Sequence, residues 1–229
     1  MTQRHELRWG GFAGLAFIVL SVLAALLPGT PPRVSASTDS ITSFVADGRN
    51  QMLLAALLQA AAAGLVIWFA AAFAEAIRER EERSDVHMAL LAGSVLIGGA
   101  LFSYAAAEGV LAYVAATVPA ATTVAIFKGL MVFNALLGFA AALPLAAAGI
   151  GVLRTHLMPD WLGYVALVAA GVSVLAGFGI FADSGTYAPG GSLMPFVALT
   201  AGGIFVAAAS IFMVREHLPE GAPMTLPQT

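Results

Sequence analysis

The sequence predicts an all-α protein: a polytopic bundle of six transmembrane helices with both termini cytoplasmic and a short interfacial helix in the first external loop. Three observations carry this. Hydrophobic residues fill 60% of the 229 positions and charged residues only 10%, where a soluble domain carries roughly a quarter charged. The charges gather in short stretches, and the apolar runs between them reach the roughly 20 residues that cross about 30 Å of hydrocarbon as helix. Those runs are mostly Ala, Leu, Val and Gly, with little strand-like alternation, and a helix satisfies its own backbone hydrogen bonds where no water is available.

The spans fall in order at about 9–27, 52–74, 88–115, 122–153, 161–181 and 193–214, each near or above the crossing length. The first opens on Trp9 and leaves through Leu-Pro-Gly-Thr-Pro-Pro. That exit, and an apolar stretch longer than a signal core, argue for a retained helix; cleavage near Ala36 would leave five spans. In the following loop, Ile41, Phe44 and Val45 come after Asp39 and Ser40 and before Gly48. This reads as an N-capped helix with one apolar edge at the membrane surface; a plain ordered turn is the competing reading. The second span runs into IREREERSD, with Glu75/Glu79 and Arg78/Glu82 at helical spacing, a solvated helix end. The third and fourth exceed one crossing, so tilt or projection past the interface is expected. Pro144 should kink the fourth and free a carbonyl. Gly98, Gly99, Gly171, Gly177, Gly202 and Gly203 suit close helix packing. A single domain covers 1–229, with a flexible tail from about residue 218.

Arginines orient the bundle. Arg4, Arg8, Arg78, Arg80, Arg83, Arg154 and Arg215 fall on one side, against Arg33 and Arg49 on the other. Basic residues accumulate in cytoplasmic loops, so both termini are cytoplasmic and the chain sits in the plasma (inner) membrane as a multi-pass protein.

Candidate chemistry centres on two charges. Lys128 is the only lysine and lies inside the fourth apolar run; Glu108 lies inside the third. Ionisable groups in hydrocarbon are costly and usually paired or functional. Both are about ten residues from the turn near Pro119, hence at equal depth, about 15 Å below it. Tyr104 and Asn134 match one layer further in, and Tyr104 shares a helix face with Glu108. Lys128 and Asn134 are six apart, so one of them faces elsewhere. Either Glu108 and Lys128 form a structural pair or snorkel outward, or they line a polar site for a ligand or protons; a protonated Glu108 without the lysine is a third reading. If they touch, losing one partner costs about 3–5 kcal/mol and losing both restores part of it. A retinal-type Schiff base at Lys128 conflicts with six spans and with Trp9, Trp68 and Trp161 near span ends.

Gln59, and Asp183 with Tyr187, are lesser candidates; Asp183-Ser184-Gly185 reads first as a turn. His5, His87, His156 and His217 sit at span edges without metal-binding spacing, so no metal site and no cofactor are expected. There is no cysteine, so no disulfide or thiol chemistry. No G-x-S-x-G or phosphate loop supports an enzyme. The net charge of −3 carries no nucleic-acid signature. Expected partners are the lipid bilayer and another membrane protein or a second copy of the chain. The function expected is a non-enzymatic subunit or a small-molecule- or lipid-binding membrane component; the alternative is a carrier or proton-coupled transporter using Glu108 and Lys128. No repeat relates the two halves, which disfavours the carrier.

RWGGFAGLAFIVL, the LPGTPP exit, SFVADGRNQMLLAA and RTHLMPDWLGYVALVAAGVSVLAG together resemble a family of uncharacterised six-helix actinobacterial integral membrane proteins. The resemblance implies one domain, six helices and a bacterial origin. It implies no activity.

Overall fold

The computed structural model describes residues 2–81, 84–182, 185–189, 191 and 193–215, with side chains described from residue 7 except at 193–199. The expected tail, Arg83, Asp183 and His217 lie outside the described residues. The described chain is helical: α1 (Thr2–Leu26), α2 (Thr38–Asp47), α3 (Arg49–Arg80), α4 (Val86–Val114), α5 (Ala120–Thr155), α6 (Asp160–Gly177) with a 3₁₀ turn (Phe178–Phe181), and α7 (Leu193–Val214). Five helices, α1 and α3 to α6, are long and apolar enough to cross a membrane; α7 contributes a shorter described apolar stretch, Thr200–Val214.

Neighbours follow a closed order: α1 packs on α3, α3 on α4, α4 on α5, α5 on α6, α6 on α7 and α7 back on α1. The exterior of this ring is apolar. Only 22–39% of the apolar stretch of each crossing helix is buried, and Trp9, Phe12, Val95, Phe102, Val132, Val168 and Ile204 are all exposed. Water would penalise such a surface heavily, whereas lipid does not. Trp9 and Trp161 lie near helix ends. Trp68 does not: it sits ten residues inside Arg78, about 15 Å along α3, facing outward near mid-depth.

The interior holds two separate apolar clusters. The larger joins α1, α3, α4, α5, α6 and α7 through Ala13, Phe73, Ile77, Leu90, Val152, Leu162 and Phe205. The smaller joins α2, α3, α4 and α5 through Ile41, Val45, Met52, Leu111, Phe127 and Met131. Without a hydrophobic drive in lipid, close backbone approach supplies much of the packing. At Gly138 of α5, an added Cβ would lie 2.3 Å from the Ser173 carbonyl oxygen of α6. At Gly93 of α4 it would lie 2.7 Å from Cδ of Pro144, so α4 fits against the proline-bearing turn of α5. Of the glycines expected at contacts, Gly98 and Gly177 are tightly packed and Gly202 makes an ordinary contact. Gly99, Gly171 and Gly203 face open space, because composition does not fix which face of an apolar helix is inward.

Contacts set the register. Gly10 meets Ala72 and Gly14 meets Phe69; Gly98 meets Ile67 and Gly109 meets Ala56; Gly93 meets Pro144; Gly149 and Gly163 meet each other. Gly11 meets Val214, so the start of α1 and the end of α7 lie side by side. At the same end Glu81, just past α3, pairs with Arg154 of α5, and the Arg78 Nε–H donates to Glu75 at 2.8 Å. His156 ends α5 in the left-handed region (φ 48°) and meets Asp160 at 2.9 Å.

At the other end the helices are unequal. Leu26, the last residue of α1, is level with about Leu57 of α3, and α6 with its 3₁₀ turn stops near the level of residue 132 of α5. The first two turns of α3, the last turn of α4 and the first three turns of α5 therefore extend past their neighbours. α5, with 36 residues, is about 54 Å long. The over-long third and fourth runs, α4 and α5, thus reach past α1 and α6.

α2 covers that projecting end. Ser37 caps it, its Oγ accepting from the Ser40 N–H at 3.3 Å, and the Gly48 N–H closes it on the Phe44 carbonyl at 3.0 Å. Its apolar edge does not lie on lipid. Ile41 and Val45 are fully buried against α3, α4 and α5, and the ring of Phe44 meets Phe127 edge-on at 6.1 Å.

Candidate functional site

Glu108 occupies the inner face of α4, in line with Tyr104, Leu111 and Ala112, and is 8% exposed. The same face carries residues of the smaller apolar cluster, and α2 lies over that cluster. Among the described residues no hydrogen bond or ion pair reaches its carboxylate. The register puts Glu108 level with Leu57 of α3 and Gly129 of α5, where α1 ends. From there to Ile77 is twenty residues of α3, about 30 Å, one hydrocarbon thickness. Glu108 thus lies near one edge of the apolar layer, buried by protein on the inside of the bundle.

Lys128 is level with Glu108, as the count from Pro119 implies, but its side chain is exposed. The neighbouring Phe127 is the inward one, at 1% exposure, and a step of one residue turns the side chain about 100°. Lys128 reaches outward at the interface, the geometry of a snorkelling lysine. Equal depth holds; facing does not.

Tyr104 is half-buried and stacks on Phe133 with ring centroids 6.3 Å apart, so its partner on α5 is the residue before Asn134. Asn134 is half-buried on the face of α5 that carries Phe127, Leu130 and Met131. The structure turns Tyr104, Glu108 and Asn134 inward, and leaves Lys128 outside. Gln59 is also half-buried, on α3. Sequence reasoning missed the role of Phe133, and that of α2 as the cover over this region; the spacing of Ile41 and Val45, four apart, was the available signal.

The remaining candidates separate. The Tyr187 hydroxyl donates to the Leu175 carbonyl and ties the α6–α7 connection to α6. His87 is half-buried, its Nδ1 without a hydrogen-bond partner among the described residues, and His156 is exposed. Among the described residues no three histidine or acidic side chains converge as metal ligands.

No protein-family model, curated protein or solved structure matches the chain.

Proposed function

We propose that the chain is a six-span component of a bacterial plasma membrane, with both termini cytoplasmic, that acts by binding a lipid, a small molecule or another membrane protein. The observation that carries a binding role is the uneven external end. Three helices project past the rest and α2 packs across them, which forms a platform at headgroup level. The arginine asymmetry supports the orientation: Arg8, Arg78, Arg80, Arg154 and Arg215 share one end, Arg33 and Arg49 the other. Extraction in mild detergent followed by native mass spectrometry tests it. Retained lipid, partner or second copy is expected. A monodisperse, ligand-free monomer would overturn the reading.

A second reading is favoured by Glu108 alone. A buried carboxylate without a partner is a group that can take up a proton or cation, as a carrier would need. Its test is flux into proteoliposomes: flux that Glu108→Gln leaves unchanged removes this reading.

A further inference from the structure

A groove of about 590 Å³ opens between the exit of α1 and α2, lined among others by Thr30, Ser40, Ser43, Phe44, Asp47 and Gln51. Both walls are built. On one side the chain leaves α1 through Pro28, Gly29, Pro31 and Pro32, with the Leu27 N–H on the Leu23 carbonyl at 3.0 Å and the Gly29 N–H on the Leu26 carbonyl at 3.2 Å. Gly29 has φ +76°, a conformation glycine adopts without strain, and the prolines restrict the rest. On the other side α2 is held by Ile41 and Val45, both fully buried. Its opposite stripe, Ser40, Ser43 and Asp47, faces the groove, and Gln51 continues it into α3.

The lining has one sign. Asp47 is its sole ionisable group, and no cation lines it. The Ser43 hydroxyl donates to the Asp39 carbonyl at 2.8 Å, which leaves its lone pairs to accept. Hydroxyl and amide oxygens around one carboxylate match a donor-rich cation. A quaternary ammonium would call for an aromatic cage, and Phe44 is the single aromatic residue here. The groove begins at Leu27, directly after the apolar stretch Leu7–Leu26 ends, so it lies at headgroup depth.

We propose that this groove binds a primary ammonium group, either the headgroup of an aminophospholipid or a free small amine, with Asp47 as counter-charge. The site is distinct from Glu108. It deepens the binding role above and rests on its membrane placement. The test uses the full chain, stripped of lipid in detergent and titrated with phosphatidylethanolamine or phosphatidylglycerol under native mass spectrometry. Preference for phosphatidylethanolamine of about 10-fold is expected from one charge-assisted contact. Asp47→Asn should abolish it and Ser43→Ala weaken it. Asp39→Asn, on the same helix outside the groove, should keep it. Displacement by free ethanolamine assigns the site to a soluble amine, and resistance to displacement assigns it to the lipid; either supports the site. Equal retention of both lipids by the native chain, or a preference unchanged by Asp47→Asn, overturns it. If another lipid or a protein partner is retained without that preference, this inference falls and the binding role stands.

Discussion

Gly138→Leu should destabilise the protein by about 3 kcal/mol or more, the upper range for overpacking a tight contact. The clash is with backbone. A Cβ at this position would lie 2.3 Å from the Ser173 carbonyl oxygen and 3.1 Å from the Gly177 nitrogen, so no rotamer change relieves it and α5 and α6 must separate. Gly171→Leu is the matched control. It sits on α6 with open space around it, and a substitution free of contacts stays within about 0.5 kcal/mol. Thermal unfolding in detergent measures both. Equal losses at the two positions would mean that the α5–α6 interface is misplaced.

Glu108→Leu should raise stability by about 1 kcal/mol, the low end of the cost of a polar group without a protein partner, because the side chain is 8% exposed and leucine suits the apolar cluster beside it. An ion pair with Lys128 predicts the opposite sign. Lys128→Met should change stability by no more than about 0.5 kcal/mol, as for an exposed site. The double mutant should then be additive within about 0.5 kcal/mol. A loss in each single mutant with recovery in the double would restore the ion pair and refute the outward placement of Lys128.

These two expectations mark where sequence reading succeeded and where it stopped. Helix locations were legible because bilayer-length apolar runs broken by charged stretches admit few alternatives. Depth was legible too: counting from Pro119 aligned Glu108 with Lys128, since rise per residue is fixed by the backbone. Facing was not. A helix that is apolar all round has no amphipathic stripe to orient it, so nothing in the sequence distinguished Phe127 from Lys128 as the inward residue, or Gly138 from Gly171 as the contact. The unequal ends were hidden as well, because they depend on where α1 stops beside α3 and α6 stops beside α5. Glu108 and Lys128, near the facing ends of α4 and α5, lie toward the edge of the apolar layer, as the count from Pro119 implied. The helix in the first loop was foreseen, but its apolar edge turned to protein because the projecting ends of α3, α4 and α5 offer a better-packed surface than lipid.

The absence of cysteine makes the membrane path of the chain directly measurable. Single substitutions at four exposed positions, Thr30→Cys, Asp85→Cys, Thr117→Cys and Arg215→Cys, can be probed with a membrane-impermeant maleimide on intact cells. Thr30→Cys and Thr117→Cys should label in intact cells, and Asp85→Cys and Arg215→Cys only after permeabilisation. Labelling of Asp85→Cys or Arg215→Cys in intact cells, or protection of Thr117→Cys, would contradict a six-span path with both termini in the cytoplasm.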